Sequence, residues 1–162
     1  MGSGLSRYGQ AELEMEKVGA ALARATGIEV CSLRIGNLAG ADAVLGGWKP
    51  GFELDTFEDG QTPQRSYLGF RVLARIIQRL AIAPHLPQVL NVAQPGLISM
   101  GDLLDTAGLQ WRERPAPPAA VKSVHLSTDL LEQALNEPLP LASPGRLTEE
   151  WRRMMALPVG AE

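Results

Sequence analysis

Several residue types are scarce in this 162-residue sequence, and each scarcity excludes a class of structure or function. A single cysteine, Cys31, excludes a disulfide framework within the chain. Neither a secretory signal nor an apolar run of about 18 residues occurs, so we expect no membrane span and a cytoplasmic protein. The net charge of −3 gives no electrostatic case for nucleic acid or an anionic membrane as a partner.

Histidine and lysine are scarce as well. His85 and His125 are far apart, and nothing in the sequence has the ligand spacing of a metal site, so no metal is predicted. Cys31 lies in an apolar run, which favours a buried, reduced thiol over a nucleophile. Twelve arginines but only three lysines make up the basic residues.

The longest regular pattern predicts a helix over residues 5–25. Ser6 is a candidate N-cap, and Gly27 is placed to end the helix. Apolar residues recur four and three positions apart and form one stripe: Ala11, Met15, Val18, Leu22 and Ala25.

Two short apolar runs predict strands buried on both faces, as in a parallel sheet. They cover Ile28–Ile35 and Gln88–Ala93. The glycine-rich stretch Gly36–Gly51 follows the first of them. A loop at the C-terminal edge of a parallel strand is where open α/β sheets bind ligands.

The rest of the chain alternates helices with short extended pieces. Helices are predicted over 70–83, 100–107 with Ser99 as cap, 128–135 with Ser127 or Thr128 as cap, and 146–156. In the last helix, Leu147, Trp151 and either Met154 or Met155 are expected to point inward. Short strands are predicted over 52–57, 65–69 and 110–114. This alternation predicts an α/β fold, and two buried strands are too few for a complete parallel sheet.

Four segments, in order, carry a family resemblance. Arg7–Glu16 (RYGQAELEME) resembles an active-site helix in which Tyr is followed four residues later by Lys. Leu33–Gly40 (LRIGNLAG) is similar to the motif L-R-P-x-N-V-x-G, and Arg65–Ile77 (RSYLGFRVLARII) to R-x-F-I-x-V-x-D-hydrophobic-A-x-x-I. Leu90–Leu104 (LNVAQPGLISMGDLL) resembles an N-V–short loop–S-x-x-E/D-L segment. These motifs are those of the extended short-chain dehydrogenase/reductase superfamily, the NAD(P)-dependent epimerase/dehydratase proteins.

The resemblance implies a fold, an activity and a cofactor. The fold would be the C-terminal part of a Rossmann-like parallel sheet plus a small α/β substrate-side subdomain. Residues 1–4 would be a lead-in or a cloning remnant, 5–47 the end of the Rossmann-like part and 48–162 the substrate-side part. The activity would be oxidoreductase or epimerase chemistry on a nucleotide sugar or a similar hydroxyl or carbonyl compound, with NAD or NADP.

The resemblance also implies roles for individual residues. Tyr8 falls on the catalytic tyrosine, which exchanges a proton with a substrate hydroxyl. Ile35 falls where the backbone approaches the nicotinamide, so it is a candidate cofactor contact. Asn37 and Arg65 fall on substrate-binding positions, and a planar guanidinium such as that of Arg65 suits a diphosphate.

Two departures from the family pattern predict that this chain is inactive by itself. Glu12 stands where the family has Lys, and a carboxylate one turn from Tyr8 raises the pKa of that phenol instead of lowering it. The glycine-rich turn that cradles a dinucleotide pyrophosphate is absent from the sequence. The alternative is a non-catalytic, truncated relative that self-associates as a binding or scaffold module.

The partners expected are a small-molecule substrate and either a second copy or a missing N-terminal half. In the family, the helix that carries the tyrosine commonly pairs with its copy, here through residues 9–26. The apolar stripe would then face that copy, whereas the alternative is that it packs against the chain's own sheet.

Overall fold

Helices and short strands alternate along the chain in the computed structural model of the protein, which confirms the predicted α/β class. The structure describes residues 7–156, with side chains from residue 9 onward. Within that range the helices are α1 (Arg7–Thr26), α2 (Phe70–Leu80), α3 (Met100–Ala107), α4 (Asp129–Leu135) and α5 (Pro144–Met155). The strands are β1 (Ser32–Ile35), β2 (Asn37–Leu38), β3 (Glu53–Thr56), β4 (Gln64–Arg65), β5 (Tyr67–Leu68), β6 (Val89–Val92), β7 (Ile98–Ser99), β8 (Arg112–Pro115) and β9 (Ser123–Val124).

β1 and β6 form a parallel pair in which Ser32 lies opposite Val89 and Ile35 opposite Val92. Among the described strands, β1 has no partner at its other edge. The prediction of a strand over residues 28–35 buried on both faces is therefore wrong, since the ladder covers 32–35 and the Ile35 side chain is 50% exposed. A strand is buried only where neighbouring strands and helices cover it, and β6 covers one edge alone.

The remaining strands form small sheets around this pair. β2 pairs in parallel with β5, and β3 in parallel with β8. β4 lies between β7, which is antiparallel to it, and β9, which is parallel. The ends of β1, β2 and β4 consequently meet on one side of the molecule.

Two clusters of buried apolar residues form the core. The first joins the loop after β2 to α3 and α5: Ala39, Val44, Leu45, Leu54, Tyr67, Ile98, Leu103, Leu104, Ala107 and Leu147. The second surrounds β6: Leu68, Ile76, Leu80, Leu90, Val92, Leu131, Leu135 and Leu139. Leu147 and Trp151 point into the first cluster as predicted. The inward position predicted for Met154 or Met155 is wrong, because the cluster ends at Trp151 and these side chains are 38% and 72% exposed.

α1 turns to the sheet a face other than its apolar stripe. Its half-buried side chains recur at helical spacing on one face: Leu13, Glu16, Ala20 and Ala23. The apolar stripe is exposed instead, with Met15 at 67%, Val18 at 65% and Leu22 at 52%. Packing of the stripe on the chain's own sheet is therefore wrong. Small residues allow the helix to approach the strand closely, since a Cβ on Gly19 would lie 3.2 Å from Val30 Cγ1.

Local end signals place most helix boundaries correctly. α1 ends at Gly27, whose φ of 72° is the left-handed conformation that glycine favours. The Ser99 hydroxyl accepts a hydrogen bond from the Asp102 amide, and Gly108 closes α3. α2 stops at Leu80, three residues before the predicted end. Ser6 lies outside the described residues. No helix within residues 7–156 is both long and apolar enough to cross a membrane.

α2 receives its N-terminal cap from a distant helix. The residue before α2 is Gly69, which has no side chain to offer, and the Glu150 carboxylate of α5 accepts a hydrogen bond from the Arg71 amide at 2.5 Å. A Cβ on Gly69 would lie 2.5 Å from Glu150 Oε2. Gly69 therefore makes room for a carboxylate at the positive end of the helix.

We predict that Gly69→Ala lowers the free energy of unfolding by about 1 kcal/mol, the usual loss when a helix cap is removed. The added methyl group displaces Glu150, whereas the backbone of Gly69 (φ −89°, ψ 159°) suits alanine. Urea unfolding measures the change. Gly145→Ala is the control, because a Cβ there meets nothing within 4 Å.

In a Glu150→Ala background, we expect the effect of Gly69→Ala on the free energy of unfolding to have the opposite sign. With the carboxylate absent, Gly69→Ala is expected to stabilise the protein by roughly 0.4–1 kcal/mol through the reduced entropy of the unfolded chain. Equal effects in both backgrounds would show that Glu150 does not cap α2.

Candidate functional site

A cleft of about 470 Å³ lies between α1, the end of β1 and the β4–β9 pair. Three of the four predicted site residues line it: Ile35, Asn37 and Arg65. They come from three separate strands that the parallel pairing brings to one side. The roles proposed for them stay predictions, but their convergence in one cleft follows from the fold.

The catalytic role predicted for Tyr8 also stays a prediction. Its backbone lies in the first turn of α1, and its side chain lies outside the described residues. Glu12, one turn later, lines the cleft together with Glu16. The helix face that follows Tyr8 is therefore a wall of the cleft.

Ile35 is the last residue of β1 and presents a half-exposed side chain to the cleft. The next residue, Gly36, donates its amide to the Val92 carbonyl at 2.9 Å. A Cβ on Gly36 would lie 2.7 Å from the Ser66 carbonyl oxygen. Glycine at this position lets the chain leave β1 tightly and places Asn37 beside β5.

The Asn37 side chain contacts a buried tyrosine. Tyr67 has no exposed surface, and its hydroxyl donates to Asp42 Oδ2 at 2.8 Å and is hydrogen-bonded by Asn37. Burial, together with the charge of Asp42, raises the pKa of Tyr67 above its ordinary range. Asp42 also accepts the amides of Gly40 and Leu45. This network fixes the start of the glycine-rich loop next to the cleft.

The Arg65 guanidinium is held by backbone carbonyl groups. One terminal nitrogen donates to the Gln64 oxygen at 2.7 Å, and the other donates to the Val121 oxygen at 2.8 Å. None of the ion pairs among the described residues involves Arg65, and burial lowers its pKa. A partly buried cation surrounded by neutral oxygens is a favourable place for an anion.

A two-pronged ion pair joins α1 to β1 at the edge of the cleft. Arg34 donates through Nε to Glu16 Oε1 at 2.7 Å and through a terminal nitrogen to Oε2 at 2.8 Å. The hydrogen bonds lower the pKa of Glu16 and raise the pKa of Arg34, to which Glu12 adds a smaller effect. Arg34 thus neutralises the charge of Glu16, and the negative charge of Glu12 remains on this wall of the cleft.

The described residues do not fit a complete dinucleotide. Binding of a pyrophosphate in this type of fold needs a strand, a glycine-rich turn and the start of a helix. In the glycine-rich stretch, Gly46 and Gly47 instead pack against their own loop, since a Cβ on Gly46 would lie 2.5 Å from the Gly40 oxygen and one on Gly47 2.5 Å from the Ala43 oxygen. A carboxylate at position 12 also replaces the cation expected beside the cofactor ribose.

Neither a reactive thiol nor a metal site is found among the described residues. Cys31 is half buried, and burial followed by the charge of Glu29 raises the pKa of its thiol, which disfavours a nucleophilic thiolate. In the part of the chain that the structure describes, no three His, Cys, Asp or Glu side chains form a metal-binding group.

Sequence reasoning missed the partners of the predicted site residues. The sequence analysis assigns Glu16 no partner, although Arg34 is the only charged residue of β1 and a charge in a partly buried strand needs a partner. Asp42 and Tyr67 are 25 residues apart and carry no spacing that would pair them.

Comparison with known proteins identifies the class of fold. The sequence matches no family model and none of the curated proteins. Among solved structures, it is similar to TunA, an NAD-dependent NDP-hexosamine 5,6-dehydratase of tunicamycin biosynthesis, with 21% identity and a TM-score of 0.70 over 94% of this chain and 55% of that one. The chain therefore has the Rossmann-like fold of the epimerase/dehydratase type, over a stretch that corresponds to a C-terminal half.

Two epimerase structures support the same fold. UDP-glucose-4-epimerase from Stenotrophomonas maltophila, with bound NAD and formylated UDP-arabinopyranose, is 20% identical, with a TM-score of 0.66 over 94% of this chain and 56% of that one. UDP-glucose 4-epimerase from Brucella ovis, in complex with NAD, is 18% identical, with a TM-score of 0.72 over 88% and 54%. This chain spans slightly more than half the length of each.

We predict that Glu16→Gln weakens the dependence of stability on acidic pH. Because the folded-state pKa of Glu16 is depressed, its contribution to stability is present above its ordinary pKa of 4.5 and is lost as the pH falls below it. The variant should be less stable than the parent at neutral pH and should show a shallower loss of stability on acidification.

Thermal unfolding across this pH range measures the effect. Glu14→Gln is the matched control, because Glu14 is paired with Lys17 on the exposed side of the same helix. An unchanged pH profile for Glu16→Gln would mean that the Arg34 contact does not persist in solution.

Proposed function

We propose that this chain is the substrate-side part of an NAD(P)-dependent oxidoreductase or epimerase that acts on a nucleotide sugar or a similar hydroxyl or carbonyl compound. The observation that carries the proposal is the meeting of Ile35, Asn37 and Arg65 in one cleft. The likeness in fold to nucleotide-sugar epimerases and dehydratases supports the class of substrate.

Each residue of the cleft has one role in this proposal. Tyr8 exchanges a proton with a substrate hydroxyl, Arg65 binds the diphosphate, and Asn37 contacts the sugar. The backbone at Ile35 would approach the nicotinamide, which would supply the hydride chemistry when it is bound. Because Glu12 opposes ionisation of Tyr8 and the described residues form no pyrophosphate cradle, the isolated chain is inactive.

The proposed division of the chain places residues 5–47 in the Rossmann-like part and 48–162 in the substrate-side part. The β1–β6 pairing links the two stretches in one sheet. A nucleotide-binding segment, in the same polypeptide or in a partner, would cover the free edge of β1 and complete the cofactor site.

We predict that the protein binds UDP-glucose and that Arg65→Gln weakens this binding at least tenfold. Hydrogen bonds from a cation to an anion contribute about 1.5–3 kcal/mol, and a factor of ten corresponds to about 1.4 kcal/mol. Isothermal titration measures the dissociation constants. Arg79→Gln is the control, since Arg79 is exposed on α2 and does not line the cleft.

Turnover provides the second part of this test. The 162-residue chain with UDP-glucose and NAD is expected to give neither an epimer nor reduced cofactor. If the Arg65 and Arg79 variants bind UDP-glucose with equal affinity, Arg65 does not bind the diphosphate. If the chain alone turns over UDP-glucose, the proposal that it is inactive is wrong.

The alternative function, a self-associating module without catalysis, is favoured by the exposed stripe of α1. Met15, Val18 and Leu22 form a contiguous apolar face at helical spacing, each more than half exposed. Exposed apolar faces of this kind mark interaction surfaces. The occupant proposed is the same helix of a second copy, which would cover the stripe on both chains.

Sedimentation velocity tests this alternative. We expect a dimer for the parent and a monomer for Val18→Glu/Leu22→Glu, because paired charges would face each other across the helix contact. Ile82→Glu is the control, since Ile82 is 74% exposed after α2. A monomeric parent at all concentrations would remove the alternative.

A further inference from the structure

A short, exposed segment separates two cavities of the molecule. This strap comprises residues 116–124, between β8 and the segment that leads to α4. Prolines at 117 and 118 remove two of its nine backbone donors. Its only described strand, β9, is two residues long, and the side chains of Val121 and Val124 are 57% and 41% exposed.

The strap carries part of the wall of each cavity. Val124, with Leu126 just after the strap, lines the cleft of about 470 Å³ that contains Arg65. Residues 116–118, 120 and 122 line a second cavity of about 760 Å³, together with the end of β3 and the turn that follows it. A ligand longer than either cavity can occupy both only if the strap moves.

Four amide hydrogen bonds attach the strap and the residues just after it to the rest of the fold. At the start of the strap, the Ala116 amide donates to the Thr56 carbonyl at 3.0 Å. The amides of Gln64 and Ser66 donate to the carbonyls of Lys122 and Val124, at 2.8 and 3.2 Å. The amide of Leu126 donates to the Ser66 hydroxyl at 2.9 Å. The last three of these amides therefore report whether the strap is in place.

Two cationic side chains complete the attachment. Arg65 donates to the carbonyl oxygens of Val121 and Lys122, at 2.8 and 3.3 Å. Lys122 forms an ion pair with Asp59, and its ammonium group lies 5.8 Å from the centre of the Phe57 ring. The first attachment uses the donors that the proposed diphosphate would need.

We propose that the strap is a latch that an anionic ligand releases by competing with the Val121 and Lys122 carbonyls for the Arg65 guanidinium. This inference rests on the function proposed for Arg65. The carbonyls accept charge-assisted hydrogen bonds from Arg65, and a diphosphate would accept the same bonds with the added Coulomb attraction of its own charge, so it displaces the carbonyls. Release of the strap joins the two cavities, and the nucleoside of the ligand extends into the larger one.

The proposal requires reciprocal coupling between the strap and the ligand. If the ligand binds the open strap better, a change that opens the strap must tighten ligand binding, by at most the factor by which it shifts the strap equilibrium. Asp59→Asn is the suitable change, because Asp59 holds the strap through Lys122 and lies outside the cleft that contains Arg65. Since Asp59 lines the larger cavity, the affinity for inorganic pyrophosphate, which has no nucleoside to enter that cavity, is compared as well and should rise in the same way. An exposed ion pair corresponds to a roughly two- to fivefold effect.

The experiment combines amide hydrogen exchange, read by NMR, with titration of UDP into the 162-residue chain. UDP is expected to accelerate exchange of the Gln64, Ser66 and Leu126 amides at least threefold. Asp59→Asn should accelerate the same amides without ligand and should bind UDP roughly two- to fivefold more tightly. Glu149→Gln is the control, since it breaks an exposed ion pair with Arg153 within α5, away from the strap.

The outcomes separate this inference from the proposed function. Binding of UDP with unchanged or slower exchange, or with equal affinity in Asp59→Asn, would overturn the latch and leave the ligand role of Arg65 intact. Failure of both UDP and inorganic pyrophosphate to bind the parent chain would overturn both. Acceleration by UDP that is lost in Arg65→Gln would identify Arg65 as the group through which the ligand acts.

Discussion

The parallel pairing of β1 with β6 is the constraint on which the rest of the structure depends. β6 supplies Leu90 and Val92, which have no exposed surface and hold α2 and α4 in the second core cluster. β1 carries the chain to the cleft, where the Gly36 amide continues the pairing to the Val92 carbonyl. Because β6 covers one edge of β1 and α1 lies along it, the position of Ile35 follows from this ladder, and that of Asn37 from the β2–β5 pairing that comes directly after it.

The two sides of the cleft carry charges of opposite sign. Arg65 keeps a full positive charge among neutral oxygens, so the cleft retains the means to hold an anion. On the helix wall, Arg34 neutralises Glu16, whereas Glu12 adds a carboxylate to the lining of the cleft. The cleft therefore has a cation on its β4 side and a carboxylate on its α1 side.

Patterns that depend on neighbouring residues were read correctly from the sequence. The limits of α3 follow from Ser99 and Gly108, whose cap geometries involve residues at most four positions away. Burial was read less well, since the apolar stripe of α1 and the run Ile28–Ile35 were expected to be covered. Apolar spacing identifies a face of an element, but only the arrangement of the other elements decides what covers that face.

The sequence by itself determined the α/β class, the presence and order of the helices, and the caps of α3. These features arise from backbone preferences and side-chain periods that act within a few residues. Tertiary structure alone decided the partners: Tyr67 with Asp42, 25 residues away, Arg65 with Val121, 56 residues away, and Glu150 with Arg71, 79 residues away. Such pairs leave no local trace, because the free energy of a contact depends on distance in space and on desolvation, and neither is written in sequence spacing.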